Sequence, residues 1–179
     1  MKKKIIVIGA GSFAGVLLDT ILKQGEFEVK GFCVDGIVVG DFVLGEYPVL
    51  GDAMLSNLRG DSSVYFIVAM GDNKHRQKFY ENALTKFTPA IIVHPSAILS
   101  ANTKIGKGSI LLANSVVNEN GEVGCNCIIN SGVVVDHDSV ISDHVHLSIG
   151  TLVSSKSKID SFFTSEIGEV IKSPKNIGL

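Results

Sequence analysis

Three groups of residues in this 179-residue chain are of types that can do chemistry. The first is His137, flanked by Asp136 and Asp138. Its imidazole is the kind of side chain that takes or gives a proton near neutral pH. The second is the turn Gly9-Ala10-Gly11-Ser12, set between an apolar run and a helix-like segment, with an acidic residue, Asp35, further on. The third is Cys125-x-Cys127, a spacing that raises the question of a metal. What each group can do depends on the elements that hold it.

His137 lies within a repeat. Over residues 93–159 every sixth residue is Val, Ile or Leu, twelve in succession with no insertion. The slot four further on is small or β-branched each time except the last, Phe163. A period of six with one large and one small inward slot specifies a solenoid of short strands, three hexads making a coil of eighteen residues. The slot three after the aliphatic is filled largely by Asn, Gly and Asp, among them Asn102, Gly108, Asn114, Gly132, Asp138 and Gly150. These residues tolerate a left-handed backbone at a corner. The count closes at Thr164 after four coils, since Ser165 stands where an aliphatic is due, and residues 165–179 read as a terminal cap or tail.

The repeat explains Asp136 and Asp138, which fill corner slots, but not His137. That residue occupies an outward slot shared with Lys107, Glu119 and Asp143, on the surface of the prism, where a neighbouring subunit could form the other wall of a cleft. His144 takes a corner slot and reads as structural. His94 reads as shaping the entry to the first coil, and His75 as solvated. Cys127 falls in the small inward slot and Cys125 in an outward one, so the thiols point to opposite sides and no metal is expected there.

Residues 1–92 have a different pattern. An apolar strand over residues 3–8 runs into the glycine turn, and Phe13, Val16, Leu17, Thr20 and Ile21 then share a helical face that Gly25 closes. A second strand over 27–34 leads to Asp35. Strand, glycine turn, helix, strand and acidic residue form the opening of a dinucleotide-type fold. Gly9, Gly11 and Gly15 depart from the G-x-G-x-x-G spacing, so two readings stand. Either the helix N-terminus cradles phosphates and Asp35 reaches a ribose hydroxyl, or this is a ligand-free tight turn with Asp35 a turn residue. Further on come a short helix over 53–58, a strand over 63–70 stopped by Gly71-Asp72-Asn73, a helix over 74–85 and a last strand over 90–93. The sum is a three- or four-stranded parallel sheet, with no linker before the coils, so the two halves should pack together.

Composition narrows the function classes. A net charge of −2 with both signs mixed along the chain, and no basic stripe, argues against nucleic acid. Lys2-Lys3-Lys4 precedes only four apolar residues, too few for a signal peptide or a membrane span. Three cysteines, an odd number, argue against a disulfide framework and for a cytoplasmic setting.

The chain as a whole resembles the bacterial sugar O- and N-acyltransferases that join a Rossmann-like domain to a left-handed parallel β-helix of hexapeptide repeats. Sialic acid O-acetyltransferases and nucleotide-4-amino-sugar N-acetyltransferases are of this type. The matching pieces, in order, are Ile6-Val7-Ile8-Gly9-Ala10-Gly11, Tyr47-Pro48-Val49-Leu50-Gly51, Ala69-Met70-Gly71-Asp72-Asn73 with Arg76, Val93-His94-Pro95-Ser96-Ala97, and the run from Asn130 to Asp138. The resemblance implies a nucleotide-sugar domain over residues 1–92, an acyltransferase β-helix over 93–164 and a cap or tail over 165–179.

It also implies acetyl transfer from acetyl-CoA to the amino group of a nucleotide-linked amino sugar, in a cytoplasmic homotrimer with no metal. His137 is then the general base, and Asp138 or Asp136 the carboxylate that orients it. His146, Gly150 and Ser155 are expected on the acetyl-CoA side, with the Ser155 N–H where relatives place an oxyanion donor from Gly. Gly9, Gly11, Asp35, Gly71 and Asn73 are expected at the sugar nucleotide. Two alternatives remain: O-acetylation of the sialic acid type, to which Phe13 in place of the usual His points, and a C-terminally shortened, non-catalytic sugar-nucleotide-binding paralogue.

Overall fold

A computed structural model describes residues 2–34, 39–51 and 63–173. The expected short helix over 53–58 lies outside these residues. Lys3–Ile8 (β1) is the centre of a parallel sheet in which it pairs with Phe27–Cys33 (β2) on one side and Val64–Val68 (β5) on the other. Thr88–Pro89 (β6) adds the fourth strand, beside β5. The last strand of this sheet is thus two residues earlier than the apolar run over 90–93 suggests. Ile92–Val93 (β7) belongs to the first coil instead. A small antiparallel ribbon, Phe42–Val43 (β3) with Tyr47–Pro48 (β4), packs at the edge.

The helix Ser12–Gln24 (α1) ends on Gly25, whose left-handed backbone (φ 77°) lets its N–H close on the Ile21 carbonyl. Its buried stripe is Ala14, Leu17, Leu18, Thr20 and Ile21. Val16, expected on that face, is turned outward. The buried stripe packs α1 between the sheet and the first coils. The second helix, Asn73–Leu84 (α2), covers the opposite face of the sheet through Tyr80 and Ala83.

From Ile92 onward, two-residue strands wind a left-handed β-helix with three flat faces. Face 1 stacks β7, Ile110–Leu111 (β10), Ile128–Ile129 (β13) and His146–Leu147 (β16). Face 2 stacks Ile98–Leu99 (β8), Val116–Val117 (β11), Val134–Val135 (β14), Leu152–Val153 (β17) and Val170–Ile171 (β19). Face 3 stacks Lys104–Ile105 (β9), Glu122–Val123 (β12), Val140–Ile141 (β15) and Lys158–Ile159 (β18). The second residue of each pair is the aliphatic of the six-residue count and points into a dry interior, with Cys127, Val133 and Val145 filling the small slots. Corners at Gly108, Asn114, Asn120, Asn126, Gly132, Asp138, His144, Gly150, Lys156, Phe162 and Gly168 all have positive φ. Lys156 and Phe162 hold this backbone without the usual residue types. The ring of Phe162 stacks on His144 one coil below, at 5.2 Å.

The winding continues beyond Thr164. Ser165 fills the slot due for an aliphatic and is buried, its hydroxyl accepting from the Ser148 N–H at 2.7 Å and meeting Thr151 Oγ1 at 2.7 Å. Ile171 then restores the count, twelve residues after Ile159, with β19 paired in register on β17. A hydroxyl pair there does the work of one side chain of core.

The two halves share one apolar core. Ile92, Ile110 and Ile128, the outward residues of face 1, are fully buried against Leu17, Leu18 and Ile21 of α1 and the β1 side of the sheet. A buried cation locks the other side: Arg76, with no exposed surface, donates to the carbonyls of Met70, Gly71, Asn126, His144 and Val145 at 3.0–3.3 Å and to Asn73 Oδ1 at 2.6 Å. Such a charge is tolerated because its donors find oxygen acceptors all round. Burial still draws its pKa down to about 10.

Candidate active site

His137 sits at the corner between faces 2 and 3, half exposed. Its Nδ1 lies 2.8 Å from Asp138 Oδ2. The other oxygen of that carboxylate accepts from Asn120 Nδ2 at 2.9 Å, from the coil below. The hydrogen bonds from Asn120 and then from His137 hold the Asp138 carboxyl below its usual range, so it is ionised at neutral pH. An ionised carboxylate only accepts, so the ring proton must sit on Nδ1, and in the neutral ring Nε2 carries the lone pair. This is the arrangement of a general base.

Asp136 has a different task. Its Oδ1 accepts from the His137 N–H at 2.8 Å and from Asn118 Nδ2 at 3.1 Å. These bonds lower its pKa, the His137 N–H foremost. Asp136 therefore fastens the corner, and Asp138 alone orients the imidazole. Ser155, expected as an oxyanion donor, stands one coil above His137, its backbone N–H near the Asp136 carboxylate. Asn118 and Asn120 were missed by sequence reasoning, though each stands one coil, eighteen residues, before the aspartate it binds.

His146 lies elsewhere, on face 1 under the N-terminal sheet. Its Nδ1 donates to the Gly71 carbonyl at 3.2 Å, and its Nε2 is 3.5 Å from Asn130 Nδ2. Burial lowers its pKa, so the neutral ring is favoured. Gly150 is at the corner between faces 1 and 2, in a stack with Gly132 and Gly168. Within one chain His137 and this group are thus on opposite borders of face 2.

An open cleft of about 590 Å³ lies at the carboxyl ends of β1, β2 and β5, the usual ligand position in an open parallel sheet. Gly9, Gly11, Gly71, Phe13, His75 and Lys78 line it. Gly9 has φ 99°, and a Cβ there would be 3.0 Å from the Ala69 carbonyl, so only glycine makes this turn without strain. Gly11 is the N-cap of α1 and supplies no side-chain cap, so first-turn N–H groups face the cleft. Asp35 lies outside the described residues.

Asn73 does not serve the cleft. Its amide donates to the carbonyls of Phe162 and Phe163 and to Thr164 Oγ1, at 2.8–3.0 Å, and its oxygen accepts from Arg76. Every polar atom of that side chain is spent on joining α2 to the β-helix. Asp72 caps α2 through the His75 N–H at 2.8 Å.

The remaining candidates are structural. His144 bonds Asn126 through Nδ1 at 2.9 Å, and His94 Nδ1 meets Ser96 Oγ at 2.8 Å where the first coil begins. Cys127 is buried, with its thiol pushed up to about 12 by burial, and its Sγ donates to the Ser142 carbonyl at 3.1 Å. Among the described residues no cluster of three or more His, Cys, Asp or Glu could hold a metal, and no helix is long and apolar enough to cross a membrane.

Residues 4–83 match the family described as the PglD N-terminal domain. No curated protein sequence matches the chain. Among solved structures, the acetyltransferase domain of PglB from Neisseria gonorrhoeae FA1090 is 29% identical, with a TM-score of 0.76 over 96% of this chain and 86% of that one. The same domain in complex with acetyl coenzyme A matches at 29% identity and a TM-score of 0.76, covering 97% of this chain and 86% of that one. A histidine-to-asparagine variant of perosamine N-acetyltransferase from Caulobacter crescentus, in complex with CoA and GDP-perosamine, is 26% identical with a TM-score of 0.81, over 95% of this chain and 90% of that one. Its parallel sheet, its coils and these likenesses together make the chain similar to the bacterial sugar acetyltransferases of the hexapeptide-repeat, left-handed β-helix type.

Proposed function

We propose that the protein transfers acetyl from acetyl-CoA to the amino group of a nucleotide-linked amino sugar, with His137 as general base. The observation that carries this reading is the His137–Asp138 contact, which leaves Nε2 free on an exposed corner. As the sugar nitrogen attacks the thioester carbonyl, Nε2 takes its proton and Asp138 stabilises the imidazolium. The C–S bond then breaks and CoA leaves as the thiol, receiving that proton. General-base assistance of this kind contributes roughly two to four powers of ten. The similar structures that hold CoA, acetyl-CoA or GDP-perosamine support the substrate classes.

The N-terminal cleft is where the nucleotide diphosphate fits: Gly9 and Gly11 let it approach the start of α1, and Lys78 offers a cation. Acetyl-CoA belongs to the His146 and Gly150 side, and no metal takes part. The site is completed by a second copy. Face 2 exposes Ile98 (61%), Leu152 (45%) and Val170 (55%) in one stripe, where face 3 carries Lys104, Glu122 and Lys158. Copies meeting along face 2 in a homotrimer bring the His137 border of one against the Gly150 border of the next. Three unpaired cysteines suit a cytoplasmic enzyme.

Release of free CoA thiol from acetyl-CoA, with a panel of nucleotide-linked 4-amino sugars, tests the reading beside His137→Ala. Turnover lowered at least a hundredfold in the variant is expected. Turnover only with hydroxyl acceptors would instead favour the sialic acid type of O-acetylation, for which Phe13 in the cleft is the supporting observation. No turnover with any acceptor and no acetyl-CoA binding would leave the non-catalytic, sugar-nucleotide-binding alternative.

A further inference from the structure

We propose that Asn120 is a positioning residue for the transfer reaction: its side-chain amide, one coil below, holds the Asp138 carboxylate against His137 and so fixes which ring nitrogen is the base. This rests on His137 acting as proposed above.

The argument begins with exposure. The Asp138 side chain is 40% exposed and that of His137 49%, so neither is held by packing. A surface carboxylate with free rotamers spends much of its time hydrogen-bonded to water, and a lone contact to a neighbouring imidazole is worth little. Asp138 differs because its backbone is fixed at a left-handed corner (φ 58°) and both oxygens are occupied, Oδ2 by His137 Nδ1 and Oδ1 by Asn120 Nδ2. Asn120 is itself at a left-handed corner (φ 57°), so its amide and the carboxylate above are presented to each other by the winding of the coils.

The neighbouring pair shows that this is more than a habit of the repeat. Asn118 and Asp136 stand in the same eighteen-residue relation, with an amide-to-carboxylate bond of 3.1 Å. Yet the Asp136 carboxylate accepts from the backbone N–H of His137 and makes no hydrogen bond to the imidazole. Of two ladders alike in sequence, only the Asn120–Asp138 ladder ends on the ring. The amide also helps to keep Asp138 ionised, being the first cause of its lowered pKa. Without it the ring would revert toward the Nε2-protonated form that free histidine prefers, which places a proton where the base must have a lone pair.

Asn120→Gly is the informative variant, since glycine keeps the left-handed corner while deleting the amide. Asn120→Asp keeps the corner and the shape but replaces a donor by a second carboxylate. The expected result is a kcat lowered about tenfold in both, with KM for acetyl-CoA and nucleotide sugar unchanged. The acid limb of the kcat/KM profile should move in opposite directions: to lower pH in Asn120→Gly, where the imidazolium loses its oriented carboxylate, and to higher pH in Asn120→Asp, where negative charge is added.

Imidazole 15N shifts, assigned by difference with His137→Ala, read the tautomer without any turnover. Wild type should show the Nδ1-protonated form and Asn120→Gly a mixture. Equal tautomer populations in wild type and Asn120→Gly would overturn the proposal. A kcat loss accompanied by an unmoved pH profile would do the same, marking Asn120 as merely structural. The tautomer change in a protein that transfers no acetyl would uphold the positioning and sink the transferase reading instead.

Discussion

The carbonyl of Gly71 accepts the Nδ1–H of His146 at 3.2 Å, so a residue lining the N-terminal cleft sets the tautomer of a histidine in the β-helix. His146 is thereby a hydrogen-bond acceptor at Nε2. It is also disfavoured as a cation by burial, as is His144.

A pH dependence of stability follows. Both pKa values lie below 6.5 in the folded protein, so as pH falls through 6.5 the unfolded chain takes up protons first. Stability is full above that value and declines toward the folded pKa values. Urea midpoints measured from pH 8 to pH 5 should fall, and His146→Gln should make the slope shallower. An unchanged slope in the variant would show that His146 does not contribute.

Arg76→Met keeps the volume and removes every donor, leaving the carbonyls of Met70, Asn126 and His144 without their partner, while those of Gly71 and Val145 keep His146 and the Ile128 N–H. Each unsatisfied group costs roughly 1–3 kcal/mol, some of it recovered by relaxation or water. A loss of about 3 kcal/mol or more is expected, read as a lower denaturant midpoint. A loss below about 1 kcal/mol would contradict the account of the clasp.

Gly11→Asp separates stability from binding. Apart from its chain neighbours nothing lies within 4 Å of a Cβ at Gly11, and Asp is a good N-cap, so α1 should gain about 0.3 kcal/mol. The same carboxylate would face an incoming diphosphate. The thermal midpoint should rise slightly while KM for the nucleotide sugar increases at least tenfold, checked by calorimetric scanning beside initial rates. Unimpaired substrate binding would place the diphosphate elsewhere.

Leu152→Lys puts a charge in the middle of the apolar stripe of face 2 without touching the interior. Sedimentation velocity should show wild-type assemblies replaced by folded monomers, and acetyl transfer lost with them. Wild-type monomers would remove the shared-site geometry.

The six-residue count made the inward residues and most corners of the β-helix legible, because each depends only on its place within a coil. What escaped it depends on contacts between coils or between halves. Ser165 hid the continuation to Ile171 because two hydroxyls satisfy each other where an aliphatic was due. The resemblance puts Asn73 at the sugar nucleotide, but the coils that consume its amide are about ninety residues away. His137 stands out in the sequence because the repeat does not account for it, whereas Asn120 does not because the repeat does.

The buried outer side of face 1 bears on how the chain is made. Ile92, Ile110 and Ile128 form an apolar strip on the face of the sheet that, uncovered, would invite association with other chains. Their cover, α1 with the β1 side of the sheet, leaves the ribosome first, and N-terminal units tend to fold first during synthesis. Each new coil can therefore be laid against a finished surface as it emerges, so the order of synthesis itself guards the β-helix from aggregation.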